Sequence, residues 1–516
     1  MRRLAIILLL ACCSSVGHAQ YFSKHYSLYA GTNGYISSIQ VVDDTIYAMC
    51  YVGDSLNPAI SIAALERFDK YGNRISYNPL TLPPLINILA NNNTLIHTND
   101  DGFAFGASAF IDSITNAVVI LKYDHYGNFQ WYKEIIDSNC LAYQIDILVQ
   151  DHFSNFYFTG IVQSTSNYDV DMYLAKTDSL GNLIYTKTFL HPNFDDTGDG
   201  IYFNNKGHVI LGGDALSYNI TNLDTAKDYM EIYELDTAGN QLNYVLGTDT
   251  NGPQAYNILP SNDGGYLIAS GYICYKDPNI IKTQGAIAKL DSNFHQVWKI
   301  DAGPCSQNTF FYTQKLCSDG NYIAIGKSNN DTTDHIDGWI MKYSDSGQVI
   351  WSKTYRGVTS LAGNGDDNEL GSIAFMSDGS ILCAGQATND DDTIQPAQQG
   401  WLLHLDTAGC LPDSNNCGLS DGIADIPGYA NFLVYPNPAS SVFTVALAGP
   451  NDINEYSDLH FRLYDLTGRL VIDQGLREQT TALHRGSLSD GMYLWQIADG
   501  DKGLKNGKMV LNPQTP

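Results

Sequence analysis

Basic residues are scarce in this chain, with 28 Lys and Arg set against 55 Asp and Glu for a formal charge of −27. Repulsion of that sign excludes nucleic acid and anionic lipid as partners, because both are bound through a basic surface. Long apolar runs are missing beyond the first residues, so no membrane span is expected in the mature chain. There is no convincing helical period. There is also no Walker loop, no His-Glu-x-x-His, no Cys-x-x-Cys and no Gly-x-Ser-x-Gly, so no local motif announces a reaction. The 12 histidines are scattered; those at His125, His152 and His208 fall at expected turns or strand edges and define no site. Enzymes whose sites are assembled from distant loops stay open.

What is present is a repeat. The phrase Lys-Tyr-Asp-x-x-Gly-Asn-x-x-Trp recurs with substitutions from Asp69, Asp124, Asp178, Asp236, Asp291, Ser344 and Asp406, at intervals of 55, 54, 58, 55, 53 and 62 residues. A period of this length marks a repeat fold. Each copy reads as strand, tight turn, strand: an alternating run such as Trp339-Ile340-Met341-Lys342-Tyr343, then Asp or Ser, then Gly three residues on in six of the seven. Trp131, Tyr185, Trp298 and Trp351 follow the turn at a common offset and suit packing between neighbouring sheets. A second signal precedes each hairpin, as in Asn262-Asp263-Gly264-Gly265 and Ser377-Asp378-Gly379, each leading into an apolar run. With a further short run ahead of it, each unit holds about four strands, the content of a propeller blade.

The seventh unit lacks its last strand, since Asp406-Thr407-Ala408-Gly409 runs into Cys410-Leu411-Pro412. The missing strand matches the other end, where Phe22-Ser23-Lys24-His25-Tyr26 aligns with Trp351-Ser352-Lys353-Thr354-Tyr355. The expectation is an all-β chain: a seven-bladed β-propeller over 20–417, closed by the N-terminal strand so that no sheet edge is left exposed, followed by a small C-terminal β-sandwich. The repeats resemble those of quinoprotein-like and outer-membrane assembly propellers, whose blades carry an Asp-turn-Gly-x-x-x-Trp docking motif. The Asp-to-Gly distance here is usually one residue shorter, so the resemblance implies fold and no cofactor site. The Asp box of sialidase-like propellers is also similar, but its Gly-to-Trp spacing is shorter than that from Gly347 to Trp351.

The ends speak to destination. Arg2, Arg3, the apolar run Leu4 to Ala11 and Gly17-His18-Ala19 read as a signal peptide over 1–19; a lipoprotein reading at Leu9-Leu10-Ala11-Cys12 competes, and the tail argues against it. Gly418 to Asn431 reads as a linker. Residues 432–516 contain Phe432-Leu433-Val434-Tyr435-Pro436-Asn437-Pro438-Ala439, then Phe461-Arg462-Leu463-Tyr464-Asp465-Leu466-Thr467-Gly468-Arg469-Leu470-Val471, then Leu488-Ser489-Asp490-Gly491-Met492-Tyr493-Leu494-Trp495. These three ordered motifs resemble the type A C-terminal sorting domain of the bacterial type IX secretion system. The resemblance implies a small β-sandwich, the type IX machinery as partner, passage through the periplasm, and a secreted or surface-attached product.

Eight of the ten cysteines lie beyond the signal segment, in a compartment that permits disulfides. Cys410 and Cys417 flank a short loop suited to closure, Cys305 and Cys317 bracket another connection, and Cys50 and Cys383 sit in apolar strands as expected buried thiols. Two acidic runs, expected as loops between blades, are the candidate metal sites: Asp195, Asp196 and Asp199, and Asp366, Asp367 and Glu369, with calcium the ion that clustered carboxylates beside Gly would suit. No residue is nominated as catalytic or cofactor-binding. The leading functional reading is a non-catalytic binding or adhesion protein whose propeller loops hold a glycan or surface protein. The rival is a secreted hydrolase or lyase acting on polysaccharide, its carboxylates converging at the ring centre.

Overall fold

A computed structural model describes residues 21–28, 33–53, 61–80, 86–89, 93–110, 116–135, 140–164, 170–191, 194–219, 222–247, 254–277, 280–330, 335–357, 367–388, 398–411, 431–435, 439–448, 458–465, 469–500 and 502–511. The 1–19 segment, Asp366, Cys417 and all of the 418–431 segment except Asn431 lie outside them. The described residues are strands and turns, with one 3-10 turn at Cys305–Gln307 and no α-helix.

Before Asn431 the strands form seven antiparallel groups in chain order. The first comprises Gly34–Val42, Thr45–Gly53, Ser61–Phe68 and Arg74–Pro79. In the second, Ile86–Leu89 and Leu95–His97 share one neighbour, Phe103–Phe110, followed by Asn116–Tyr123 and Phe129–Ile135. The third runs Cys140–Gln150, Phe156–Ser164, Val170–Thr177 and Leu183–Phe189; the fourth Phe194–Phe203, Val209–Asn219, Asn222–Leu235 and Gln241–Leu246. The fifth is Asn257–Pro260, Tyr266–Asp277, Ile280–Leu290 and Gln296–Ala302; the sixth Thr309–Leu316, Tyr322–Asn330, His335–Tyr343 and Val349–Tyr355. The seventh has Asp367–Phe375, Ile381–Thr388 and Gln398–Leu405, with Phe22–Tyr26 paired antiparallel to the last of these. A single parallel pairing, Ile336 with Asp367, joins the sixth and seventh.

Burial grades across each group. Asn116–Tyr123, third in its group, is buried at every position but the first, whereas the outermost Leu183–Phe189 is mostly exposed. A strand covered on both faces reads as a largely apolar run, as Ala117 to Leu121 does in the sequence. Apolar side chains of neighbouring groups share cores: Tyr47, Met49 and Leu65 of the first pack with Phe103, Phe105 and Leu121 of the second. The first and seventh groups meet in the same way, through Ile36, Ile39, Ile46, Ala374, Leu382 and Leu402.

The repeated Asp is a turn-maker. Asp178 Oδ1 accepts from the backbone N–H of Leu180 at 2.9 Å and of Asn182 at 2.8 Å, while Oδ2 accepts from Asn182 Nδ2 at 2.9 Å. The same three bonds form at Asp69, Asp124 and Asp236. Gly181 takes φ 77°, the left-handed geometry of a three-residue hairpin with a bulge. In the fifth group that position is Phe294, at φ 66°. It is buried and stacks on Tyr266 with ring centroids 5.0 Å apart, so packing offsets the strained backbone.

The turn glycine also seats the aromatic of the preceding group. A Cβ on Gly181 would lie 2.8 Å from Trp131, one on Gly347 3.0 Å from Trp298, and one on Gly409 2.8 Å from Trp351. For Gly72 the aromatic is Phe22 of the N-terminal strand, 2.6 Å away. That strand repeats its counterpart atom by atom: Trp401 Nε1 donates to Ser23 Oγ at 2.9 Å as Trp339 Nε1 does to Ser352 Oγ at 2.8 Å, and Lys24 Nζ donates to Tyr71 O at 2.6 Å as Lys353 Nζ does to Ala408 O at 2.9 Å.

From Asn431 onward, Asn431–Tyr435, Val442–Ala448 and Thr480–His484 form one sheet, and Leu470–Gly475, Leu459–Tyr464, Gly491–Asp499 and Lys502–Leu511 a second. They share a core of Phe443, Val445, Phe461, Leu463, Trp495, Ile497 and Met509. The Leu488-Ser489-Asp490 motif encloses Arg485, which donates to Ser440 O at 2.9 Å, Leu488 O at 2.6 Å and Asp490 Oδ1 at 2.8 Å.

Cys305 is bonded to Cys274; it lies in a 3-10 turn that brings its Cα to 5.8 Å from that of Cys274. One expectation needs correction. Where the acidic runs are described they are strand and not loop: Asp195, Asp196 and Asp199 lie within Phe194–Phe203, and Asp367 and Glu369 within Asp367–Phe375. Strand alternation therefore sends the adjacent Asp195 and Asp196 to opposite sides, while Asp367 and Glu369, two residues apart, share one.

Candidate ligand-binding pocket

A bulge in the first strand of most groups sets up the site. Register shifts fall between Ile36 and Ser38, Ile145 and Ile147, Gly198 and Gly200, Phe311 and Thr313, and Leu370 and Ser372. The extra residue at each is Ser37, Asp146, Asp199, Tyr312 or Gly371. A bulged residue is unpaired and its side chain is re-aimed. Four of these five sit five residues ahead of the turn that opens the next strand, at Asp151, Asn204, Cys317 and Met376; Asn93 and Tyr256 hold the same position before the turns at Thr98 and Ser261.

Asn93, Asp146, Asp199, Tyr256, Tyr312 and Gly371 all line one cavity of about 360 Å³, together with Tyr35, Ile36, Gln144, Ile147, Glu369, Gly385 and Gln386. All seven groups therefore contribute to it. A second cavity of about 260 Å³ follows along the same strands, sharing Asn93 and Ile147 and adding apolar residues such as Leu148, Ile201, Leu259 and Ile373. The first cavity is the more polar mouth of a path whose continuation sets these apolar residues beside Gln40, Gln314 and Lys315.

The mouth holds three carboxylates. Glu369 Oε1 lies 2.6 Å from Lys327 Nζ and accepts from the Tyr312 hydroxyl at 3.3 Å. Asp146 Oδ1 accepts from Gln144 Nε2 at 3.0 Å, and the Thr197 hydroxyl donates to Asp199. Asn93 Nδ2 spans to the seventh group, donating to Gly371 O at 3.0 Å. Burial pushes the Tyr35 and Tyr312 phenols above their ordinary range, so both remain neutral donors. Among the described lining residues none is a histidine. The chemistry on offer is hydrogen bonding from amides, phenols and carboxylates beside aromatic faces, with net negative charge.

The residues nominated from sequence scatter around this mouth. Asp199 and Glu369 line it. Asp195 instead accepts from the Val170 backbone N–H at 3.2 Å, and Asp196 is fully buried. Among the described residues, Asp196 is the one of the six that belongs to a group of candidate metal ligands, and its companions are His191 and Glu231. Cys410 Sγ accepts from Lys353 Nζ at 3.3 Å. Asn93, Asp146, Tyr256 and Tyr312 went unnoticed; the signal that finds them is their fixed offset from the inner turn.

Residues 433–512 match a family described as "Secretion system C-terminal sorting domain". The tail therefore marks the protein for handling by the type IX machinery, for export, and for attachment to or release from the outer cell surface. No curated protein sequence matches the chain. Among solved structures it is similar to puromycin hydrolase (9% identity, TM-score 0.46, covering 84% of this chain and 61% of that one). It is also similar to the polysaccharide lyase Uly1 (10%, 0.41, 72% and 90%) and to an endo-arabinase from Bacteroides thetaiotaomicron (10%, 0.33, 64% and 96%). The chain thus spans about three fifths of puromycin hydrolase. No helix of the described residues is long and apolar enough to cross a membrane.

Proposed function

We propose that residues 20–417 form a seven-bladed propeller closed by the N-terminal strand, and that it serves as an exported, non-catalytic binding protein carried out by its tail. The support for closure is the shared core of the first and seventh groups and the seating of Phe22 against Gly72. The observation that carries the binding reading is the polar mouth, to which bulged residues of successive groups contribute hydrogen-bonding side chains. Its occupant is a neutral, hydroxyl-rich ligand such as an uncharged glycan. Carboxylates and amides hydrogen-bond hydroxyls, tyrosine faces cover sugar rings, and the acidic rim repels uronates. Lys327 and Tyr312 engage Glu369, as a fixed binding group requires.

The test is a glycan array followed by calorimetry on the mature protein. Asp146→Asn with Asp199→Asn should abolish binding without lowering the melting temperature, and no bound neutral glycan would overturn the reading. The three converging carboxylates favour a second reading, a polysaccharide hydrolase. Release of reducing ends from the array hits, lost in Glu369→Gln, would establish it instead.

A further inference from the structure

Away from the mouth, three side chains converge where the third group hands over to the fourth. His191 lies on the connection between Leu183–Phe189 and Phe194–Phe203, Asp196 on the latter, and Glu231 on Asn222–Leu235. His191 Nδ1 is 3.8 Å from Asp196 Oδ1 and 3.7 Å from Glu231 Oε1, and donor atoms of all three fall within 4.8 Å of one another. Both carboxylate side chains are 0% exposed.

Their environment is that of a site and not of a salt bridge. Glu231 Oε1 accepts from the Tyr233 hydroxyl at 2.8 Å, but Glu231 Oε2 and His191 Nδ1 are buried without a hydrogen-bond partner. Burial pushes the Glu231 carboxyl up to about 7, so this buried pair of carboxylates is neutralised either by a proton or by a cation that joins them to the imidazole. The imidazole is fixed for a role: it stacks on Phe194 with centroids 4.0 Å apart and planes at 11°, and the Phe194 N–H bonds the His191 carbonyl at 3.1 Å. The His191 side chain is 24% exposed although its Nδ1 is buried, so the site lies just beneath the surface.

We propose that His191 Nδ1, Asp196 and Glu231 bind a transition-metal dication of the zinc type, with water completing the shell. One imidazole nitrogen and two carboxylates are a donor set for zinc, manganese or iron(II) and not for calcium, which takes oxygen alone. A tetrahedral ion with bonds of about 2.1 Å holds its donors roughly 3.4 Å apart, so the two His191 spacings need to close by only a few tenths of an ångström, and the carboxylates, within 4.8 Å of each other, would draw together on the ion. The ion would pin the connection to the fourth group, a structural role separate from the mouth.

The experiment loads the metal-stripped mature protein with zinc, manganese or calcium. It measures bound metal by elemental analysis, the melting temperature, and the visible spectrum of the cobalt(II) form. The expected result is one zinc per chain, a melting temperature raised by about 3 °C or more at saturation, and a cobalt spectrum of low coordination number. His191→Ala and Glu231→Gln should each lose all three. If Glu231→Gln does not fold, His191→Ala, on a connection, still decides. Substoichiometric zinc, or metal uptake unchanged in His191→Ala, would overturn the site, as would uptake of calcium alone.

Discussion

The Tyr26 hydroxyl donates to the Gly72 carbonyl oxygen at 2.6 Å, and the Tyr355 hydroxyl makes the same bond to Gly409 O at 2.6 Å. The N-terminal strand thus stands toward the first group as the outer strand of the sixth stands toward the seventh. It holds, by chemistry as well as by position, the place beside Gln398–Leu405 that Val349–Tyr355 holds beside His335–Tyr343.

Removing that strand should therefore be costly. Phe22→Ala empties a buried site against Gly72 and should destabilise by about 3 kcal/mol. A chain lacking residues 20–30 should melt markedly lower and aggregate, because the edge of Gln398–Leu405 is laid bare. Unchanged denaturation and a monodisperse light-scattering profile would mean the strand is dispensable.

The turn glycines should tolerate no side chain. Gly181→Ala places a Cβ both in the left-handed region and against Trp131, with an expected loss of about 2–4 kcal/mol by urea denaturation. Phe294→Gly runs the other way, relieving the backbone while deleting the stack on Tyr266. It should still destabilise, because the lost burial exceeds about 1 kcal/mol of strain.

Alkaline weakening is expected from Glu66. Burial pushes its carboxyl up to about 7, although Arg74 Nε, 2.7 Å away, acts to lower it. The folded state therefore holds a proton the unfolded chain releases near its ordinary 4.5. The associated stability is full below that value and lost as pH rises through about 7. Urea midpoints of wild type should fall between pH 5 and 8, and Glu66→Gln should flatten that fall; an identical slope in both would assign it elsewhere.

The tail should act alone on destination. A chain ending at Asn431 should fold and stay in the periplasm, and the tail fused to an unrelated periplasmic reporter should bring it to the cell surface. Fractionation of the cell reads both. Surface delivery of the truncated chain would remove the sorting role from the tail.

The all-β class and the sorting tail were legible because their signals are local. A turn closed by Asp178 and Gly181 leaves its residues adjacent in sequence, and Arg485 sits beside the Leu488-Ser489-Asp490 segment it binds. The mouth was not legible, because its chemistry is set by where a bulge falls: Asp146 and Tyr312 reach the pocket through a one-residue slip that composition does not record. The acidic run at Asp195 misled for the related reason that it reads as a loop when strand alternation is ignored. His191, Asp196 and Glu231 are brought together only by packing, across 40 positions from first to last.

The pairing of Phe22 with His404 also imposes an order on assembly. Phe22–Tyr26, the first described strand, pairs with the last described strand before the sorting tail, so among the described pairings this one requires the longest loop closure. In the proposed closed ring, Phe22–Tyr26 and Gln398–Leu405 lie at opposite ends of the propeller segment, so the pairing that would complete the ring also uses the described strand nearest in sequence before the sorting tail.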